Sequence, residues 1–157
     1  MSEPQIIPVA SAGHLTQVRE LFQEYAASLA GRFCFDQFQT ELAGLPGDYA
    51  PPAGKLLLAF VQARLAGCVA LRNAGHDTGE MKRLYVRPAF RGRGIGRDLA
   101  KSILAAACAA GYARVRLDTL PSMRSAIQLY QSLGFRRIDA AGGENSADRI
   151  DMELVLH

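Results

Sequence analysis

The segment that most constrains this chain joins an apolar run to an alanine-rich amphipathic run, and it reads VRPAFRGRGIGRDLA from Val86 to Ala100. Its glycines, Gly92, Gly94 and Gly96, occupy alternate positions, and a solvated turn seldom needs so many. Pro88 ends the preceding strand because proline cannot donate to a central ladder. A helical pattern follows the glycines. We therefore predict a strand-to-helix loop whose main chain is closely approached by a ligand.

Positive charge is concentrated in the same segment. Between Lys82 and Lys101 the chain has seven basic residues and one acid, Asp98, which gives a local net charge of +6. The whole chain carries a formal net charge of +3, so the remainder carries −3. A local basic patch favours a compact anionic ligand over a nucleic acid that covers the molecule. A solvated basic rim is the alternative.

A helix start explains how such a ligand would be held. The first N–H groups of a helix have no partner within it, and together with the helix dipole they attract phosphate oxygens. Glycine removes the Cβ atoms that would hold a phosphate away from these groups. Arg91, Arg93 and Arg97 add charge-assisted hydrogen bonds. The segment therefore predicts binding of a chain of phosphates, such as a pyrophosphate.

Apolar spacing predicts one α+β domain over residues 1–157, with elements in the order β α α β β β α β α β β and a mixed sheet. Residues 45–54 are predicted to be a loop and residues 73–79 a turn. Strands are predicted at Ile6–Val9, Lys55–Gln62, Leu65–Arg72, Glu80–Val86, Ala113–Leu117, Phe135–Ile138 and Ile150–Leu156.

Four helices are predicted from apolar residues that recur every three or four positions, and from residues that favour helix ends. Asp36 is expected to cap the second helix, with Gln39 completing a capping box. The predicted limits are Ser11 to Gly31, a start at Asp36, Arg97 to Gly111, and Pro121 to Gly134.

Composition narrows the class of protein. With 49% hydrophobic and 21% charged residues, the 157-residue chain is typical of a globular domain. Apolar runs such as Leu56–Val61 are too short to span a membrane, and the opening MSEPQ does not resemble a signal peptide. The odd number of cysteines predicts reduced thiols. We expect a cytoplasmic protein that binds neither membranes nor nucleic acid.

Two glycine motifs compete for the loop. The dinucleotide fingerprint G-x-G-x-x-G/A fails at its last position, whether it is read from Gly92 or from Gly94. Asp118 stands about where that fold places its ribose-binding acid, but six residues separate the strand from Arg93, which is too long for the tight turn of that fold.

The second motif, R-x-x-G-x-G, matches Arg91 to Gly96 and resembles the acetyl-CoA pyrophosphate loop of the GCN5-related N-acetyltransferase (GNAT) superfamily. A second run, A-I-x-L-Y-x-x-x-G-F from Ala126 to Phe135, resembles another signature of that superfamily. The order of elements over nearly the whole chain is similar as well. The resemblance implies a three-layer α/β/α fold around a mixed, mostly antiparallel sheet whose central strands splay apart.

The same resemblance implies acetyl-CoA as co-substrate and an amine-bearing acceptor, which is left open between a small amine, an amino acid, an antibiotic and a protein terminus. It leaves monomer and homodimer open, since relatives often dimerise through their C-terminal strands. Met123 stands where many relatives have an asparagine, and Ser125 or Ser122 is expected to replace its contact to CoA. The implied CoA-binding residues are Leu84, Tyr85, Val86, Arg91, Gly92, Arg93, Gly94, Ile95, Gly96, Arg97 and Ser125.

The resemblance also implies two catalytic residues. Tyr130 matches the tyrosine that many relatives use as general acid beside the CoA sulfur, and a core aromatic residue is the compatible alternative. Glu80 matches the general base of one branch, with a solvated strand-end carboxylate or a water relay as alternatives. Together they predict an N-acetyltransferase acting by direct attack in a ternary complex. A non-catalytic acyl-CoA-binding sensor on the same fold is the alternative function.

Other reactive side chains give weaker signals. Cys68 and Cys108 lie in apolar or alanine-rich runs, which is typical of core thiols, and Cys34 has no evident base nearby. A covalent mechanism is therefore not expected. The three histidines are isolated in sequence, so no metal site is expected.

Overall fold

The computed structural model describes residues 3–29, 35–138 and 149–157, apart from the side chains of residues 35 and 36. Single turns of 3₁₀ helix lie at Gly47–Tyr49 and Pro88–Phe90. The strands and helices are β1 (Gln5–Pro8), α1 (Ala12–Ser28), α2 (Phe35–Ala43), β2 (Lys55–Val61), β3 (Arg64–Gly75), β4 (Thr78–Val86), α3 (Ile95–Ala109), β5 (Arg114–Thr119), α4 (Arg124–Ser132), β6 (Arg136–Ile138) and β7 (Ile150–Val155).

The described strands form one seven-stranded sheet in the order β1-β2-β3-β4-β5-β7-β6. β4 and β5 pair in parallel, and the other neighbouring strands pair antiparallel. A crossover through α3 connects β4 to β5, as parallel neighbours require. The predicted α+β class with a mixed, mostly antiparallel sheet is therefore confirmed.

Each face of the sheet packs against its own pair of helices. On one face, side chains such as Val69 and Met81 join Leu99 and Ile103 of α3 in the larger core, and α4 packs at its margin. On the other face, Leu58 packs with residues of α1 and α2, including the fully buried Phe22. Because successive side chains of a strand point to opposite faces, one strand supplies both cores. This arrangement confirms the three-layer architecture.

Two predicted boundaries are wrong for a local reason. The turn predicted at residues 73–79 is shorter, because β3 extends to Gly75 and β4 begins at Thr78. The two connecting residues, His76 and Asp77, have φ angles of 53° and 58°. That backbone conformation is typical of a two-residue type I′ hairpin turn, which allows both strands to continue to its edges.

The helix starts also differ from the prediction. α3 begins at Ile95 rather than Arg97, because Gly94 caps it in the left-handed conformation. α2 begins at Phe35, so Asp36 lies within its first turn and is not its cap. α1 begins after Ser11, whose side chain accepts a hydrogen bond from the His14 amide as predicted. Gly31 lies outside the described residues.

A bulge in β4 positions the site. Cys68 is opposite Tyr85 and Ala70 is opposite Lys82, so two steps along β3 match three along β4. Arg83 takes up the additional step with a φ of 60°. A bulge bends its strand and increases the twist. β4 pairs with β5 only over Thr78–Glu80 and separates from it beyond that point. The splayed sheet is thus confirmed.

Gly67 allows β3 and β4 to approach each other beside this separation. A Cβ atom at Gly67 would lie 2.5 Å from the Tyr85 carbonyl oxygen, and neither backbone can move without disturbing the ladder. We expect Gly67→Ala to lower the free energy of unfolding by about 1–3 kcal/mol, measured by chemical denaturation. Gly13→Ala is the control, because a Cβ there makes an ordinary 3.8 Å contact. Equal stability of the two variants would contradict this account of Gly67.

Candidate active site

A cleft of about 930 Å³ opens where β4 leaves β5. Its walls come from the end of β4, the start of α3, the start of α4 and the end of α1. Every residue predicted to bind CoA lines this cleft, with the exception of Arg93. The structure therefore brings together residues that are far apart in sequence, from Leu84 to Ser125, although their role in binding stays a prediction.

The glycine loop forms one end of the cleft. Gly92 and Gly94 both have a φ of 80°, which L side chains rarely adopt, and a Cβ on either would meet no atom within 4 Å. Gly94 caps α3 without any side-chain hydrogen bond to the first amides. These N–H groups have no partner inside the helix. The loop therefore offers donors and open space to an anion, as the sequence predicts.

The arginines of the loop each contact another group of the protein through the guanidinium. Arg91 Nε donates to the Val86 carbonyl oxygen at 2.9 Å, and Arg97 Nη1 donates to Ser132 Oγ at 2.8 Å. The Arg93 guanidinium lies 5.7 Å from the centre of the Phe90 ring. Arg91 and Arg97 still line the cleft, so their charge reaches it.

The edge of β4 that faces the cleft is open. Beyond Glu80 no described strand pairs with this edge, and Leu84, Tyr85 and Val86 line the cleft there. On the opposite edge, the Arg87 amide donates to the Ala66 carbonyl oxygen at 2.8 Å. A ligand with amide groups can therefore add to the open edge as an extra strand would.

A smaller recess of about 30 Å³, here called the slot, lies beside the cleft between β4 and β5. Tyr25, Leu84 and Met123 line both spaces, so the two are adjacent. The remaining walls of the slot are formed by Met81, Lys82, Arg83, Leu117, Asp118, Thr119 and Tyr130.

The position of Tyr130 is compatible with both roles that the sequence left open, and its role as general acid stays a prediction. Its ring is buried, 7% exposed, and packs edge-on against Phe135 with ring centres 5.9 Å apart. Its hydroxyl makes no hydrogen bond to the described residues. Because no fully buried side-chain polar atom there lacks a partner, this hydroxyl is accessible from the slot. Burial raises the pKa of Tyr130, and the Tyr25 and Asp118 charges raise it further, so the phenol keeps its proton at neutral pH.

Glu80 lies elsewhere. Its Oε1 accepts from Arg72 Nε at 2.7 Å, and it lines neither the cleft nor the slot. It sits on the last pair of the β4–β5 ladder, opposite Arg116. The structure therefore does not bring Glu80 together with Tyr130, and its role as a base stays a prediction.

Lys82 and Asp118 are slot residues to which the sequence analysis gave no catalytic or binding role. The sequence did contain two signals for them. Glu80 and Lys82 are charged residues two positions apart on one predicted strand, and Asp118 directly follows the next predicted strand. Burial lowers the pKa of Lys82, and Arg83 and Arg72 lower it further, while Glu80 and Asp118 act in the opposite direction. A half-buried positive charge and an exposed negative charge thus line the slot.

The remaining reactive groups lie away from the slot or are engaged. Cys68 is fully buried, its thiol donates to the Arg83 carbonyl oxygen at 3.3 Å, and burial raises its pKa. Cys108 is exposed on α3, whereas Cys34 lies outside the described residues. Met123 caps α4 but its side chain makes no capping hydrogen bond, and its sulfur accepts from Thr119 Oγ1 at 3.7 Å. Ser122 lines the cleft beside it.

Neither a membrane-spanning helix nor a cluster of metal ligands occurs in the described part of the chain. No helix there is long and apolar enough to cross a membrane. No group of three or more His, Cys, Asp or Glu side chains is placed to hold a metal ion.

Comparison with known proteins identifies the family. The family model described as "Acetyltransferase (GNAT) family" matches residues 15–135, which is most of the chain. This chain belongs to the GNAT family. The R-x-x-G-x-G loop and the run that ends at Phe135 both lie within the matched region.

Two relatives and one solved structure show the range of similarity to other GNAT proteins. An uncharacterized N-acetyltransferase of Schizosaccharomyces pombe is 39% identical over 124 residues, covering 78% of this chain and 76% of the relative. N-acetylaspartate synthetase of Danio rerio is 35% identical over 101 residues, covering 63% of this chain and 36% of the relative, so the match spans about a third of that protein. The PaiA N-acetyltransferase of Thermoplasma acidophilum, solved with coenzyme A, matches with a TM-score of 0.73 at 18% identity, covering 98% of this chain and 99% of that chain.

Gly96 provides a test of the cleft that does not depend on folding. A Cβ there would make ordinary 3.7 Å contacts with Val86 and Leu129, but it would project at the wall of the cleft. Alanine is also the better helix former by about 1 kcal/mol. We therefore expect Gly96→Ala to keep or raise the unfolding temperature and to weaken acetyl-CoA binding about tenfold, measured by calorimetry. Gly13→Ala is the matched helix control, and unchanged affinity in Gly96→Ala would remove Gly96 from the binding wall.

Proposed function

We propose that this GNAT protein transfers an acetyl group from acetyl-CoA to an amine, by direct attack within a ternary complex, with Tyr130 as general acid. The observation that carries the proposal is the position of Tyr130 in the wall of a slot that adjoins the glycine-lined cleft. The cytoplasmic location stays a prediction from the sequence, as does a homodimer.

The residues present suit the co-substrate. The open space at Gly92 and Gly94 fits a diphosphate, as does the start of α3, where the cap residue Gly94 offers no side chain to the first amides. The open edge of β4 at Leu84 to Val86 fits an arm that carries amide groups. Bound there, acetyl-CoA supplies the thioester carbonyl and the leaving thiolate.

The protein's own groups move protons. A thiol has a pKa near 8.5 and an alkylammonium one near 10.4, so the amine must lose a proton and the departing thiolate must gain one. Tyr130 is protonated at neutral pH, because burial raises its pKa, so it is present as a proton donor for the departing sulfur. Such help is worth roughly 10²–10⁴-fold in rate. The base is either Glu80, as the family resemblance implies, or a water relay.

A thermal-shift panel followed by a thiol-release assay tests the proposal. Acetyl-CoA at 100 times its dissociation constant should raise the free energy of unfolding by about 2.7 kcal/mol, whereas NAD should have little effect. Release of CoA thiol that depends on an added amine would then support the enzyme. Binding of acetyl-CoA without thiol release for any amine class would instead indicate the non-catalytic sensor.

Tyr130→Phe separates acid catalysis from packing. We expect turnover to fall by roughly 10²-fold or more, while acetyl-CoA affinity and the unfolding temperature stay nearly unchanged, because the lost hydroxyl makes no hydrogen bond to the described residues. Steady-state kinetics and calorimetry check this. Tyr112→Phe is the control, since its hydroxyl donates to the Ala53 carbonyl oxygen outside the cleft. Equal turnover of Tyr130→Phe and the parent protein would remove the acid assignment.

A further inference from the structure

Most carboxylates on the sheet face covered by α1 and α2 already accept from an arginine. Among the residues that the structure describes, Lys82 and Asp118 form neither an ion pair nor a side-chain hydrogen bond, although both line the slot. The neighbouring ion pairs are Arg72–Glu80, Arg83–Glu41, Arg87–Glu24, Arg116–Glu153 and Arg149–Asp151.

These two side chains lie on the same face of neighbouring strands, just beyond the last paired residues. Glu80 is opposite Arg116 in the last pair of the parallel ladder. Two residues further along each strand, Lys82 and Asp118 point to the same face as that pair, because side chains alternate with a period of two. They stand where β4 and β5 begin to separate. The slot therefore presents one cationic and one anionic group, one on each wall, beside Tyr130.

Lys82 is the more buried of the two charged side chains, so its charge has the greater need of a partner. Lys82 is only partly accessible to solvent, whereas Asp118 is exposed. A charged group that is removed from water without a partner is unfavourable, and burial accordingly lowers the pKa of Lys82. The Asp118 charge raises the pKa of both Lys82 and Tyr130, which places all three within electrostatic range of one another. An anion bound at Lys82 would relieve this penalty.

We infer that the acceptor is a free amino acid, or a similarly small amine with a carboxylate on the neighbouring carbon, whose carboxylate pairs with Lys82 and whose amino group faces Asp118. This inference rests on the proposed acetyltransferase function and names the substrate class of the same site. A polyamine offers no anion for Lys82. The amino terminus of a protein has no free carboxylate beside its amine, so it leaves Lys82 without a partner.

The reaction balances as amide formation. The acceptor ammonium releases two protons, of which one ends on the CoA sulfur and the other goes to water. The bond between the amino nitrogen and the acetyl carbon forms as the carbon–sulfur bond breaks. The acceptor carboxylate is unchanged and stays paired with the Lys82 ammonium. The products are the N-acetylated amino acid and CoA thiol.

The test compares free L-amino acids with the same amino acids blocked as α-carboxamides, using CoA thiol release to measure kcat/KM. For the parent protein we expect the free acids to exceed their amides by roughly 10- to 100-fold, the size of one lost charged hydrogen bond. In Lys82→Met the ratio should fall to about one, because only the reaction of the free acids slows. Acetyl-CoA affinity should stay unchanged.

Lys55→Met is the matched control, a strand lysine of similar burial that lines neither the cleft nor the slot, and it should keep the full preference. If Lys82→Met does not fold, Asp118→Asn is the second variant, and its expected effect is a raised KM for free amino acids.

Thiol release with amides or polyamines at least equal to that with free acids would overturn the inference and leave the acetyltransferase intact. Absence of thiol release with every amine class would instead overturn the proposed function, and this inference with it.

Discussion

The hydrogen bonds between β4 and β5 end at Glu80, and the site depends on that interruption. Arg83 adds one residue to β4 and bends it away from its parallel neighbour. Beyond this point the edge of β4 is open to a ligand, the slot separates the strands, and the cleft opens onto the start of α3. A continuous ladder would close all three spaces, since paired strands lie about 4.8 Å apart.

Contacts on both faces of the sheet hold this strained arrangement. Arg83 binds Glu41 through two hydrogen bonds, from Nε at 3.1 Å and from Nη2 at 3.0 Å, and its carbonyl oxygen accepts from the Cys68 thiol. A left-handed conformation is unfavourable for a residue with a side chain, so these contacts offset part of that cost. The fully buried Leu99 and Ile103 of α3 support the opposite face. The gap is thus maintained by packing around it rather than by bonds across it.

The sequence predicted the fold class and most of the cleft for identifiable reasons. Three alternate glycines before an amphipathic run imply a helix start that admits an anion, and Gly92 and Gly94 do adopt left-handed conformations there. Arg93 shows the limit of that reasoning, because its guanidinium lies over Phe90 instead of lining the cleft. Glu80 shows another limit, since Arg72 on the adjacent strand engages its carboxylate.

The sequence by itself determined the features that depend on neighbouring residues, namely the periodicity of helices and strands, the glycine loop and the local excess of positive charge. Only the tertiary structure decided which side chains share the slot. Lys82 and Asp118 both line the slot because they follow the last pair of the parallel ladder between β4 and β5, and a register between strands joined by a helix is set by long-range packing. The sequence did not indicate the bulge at Arg83 either, because an arginine carries no local preference for a positive φ.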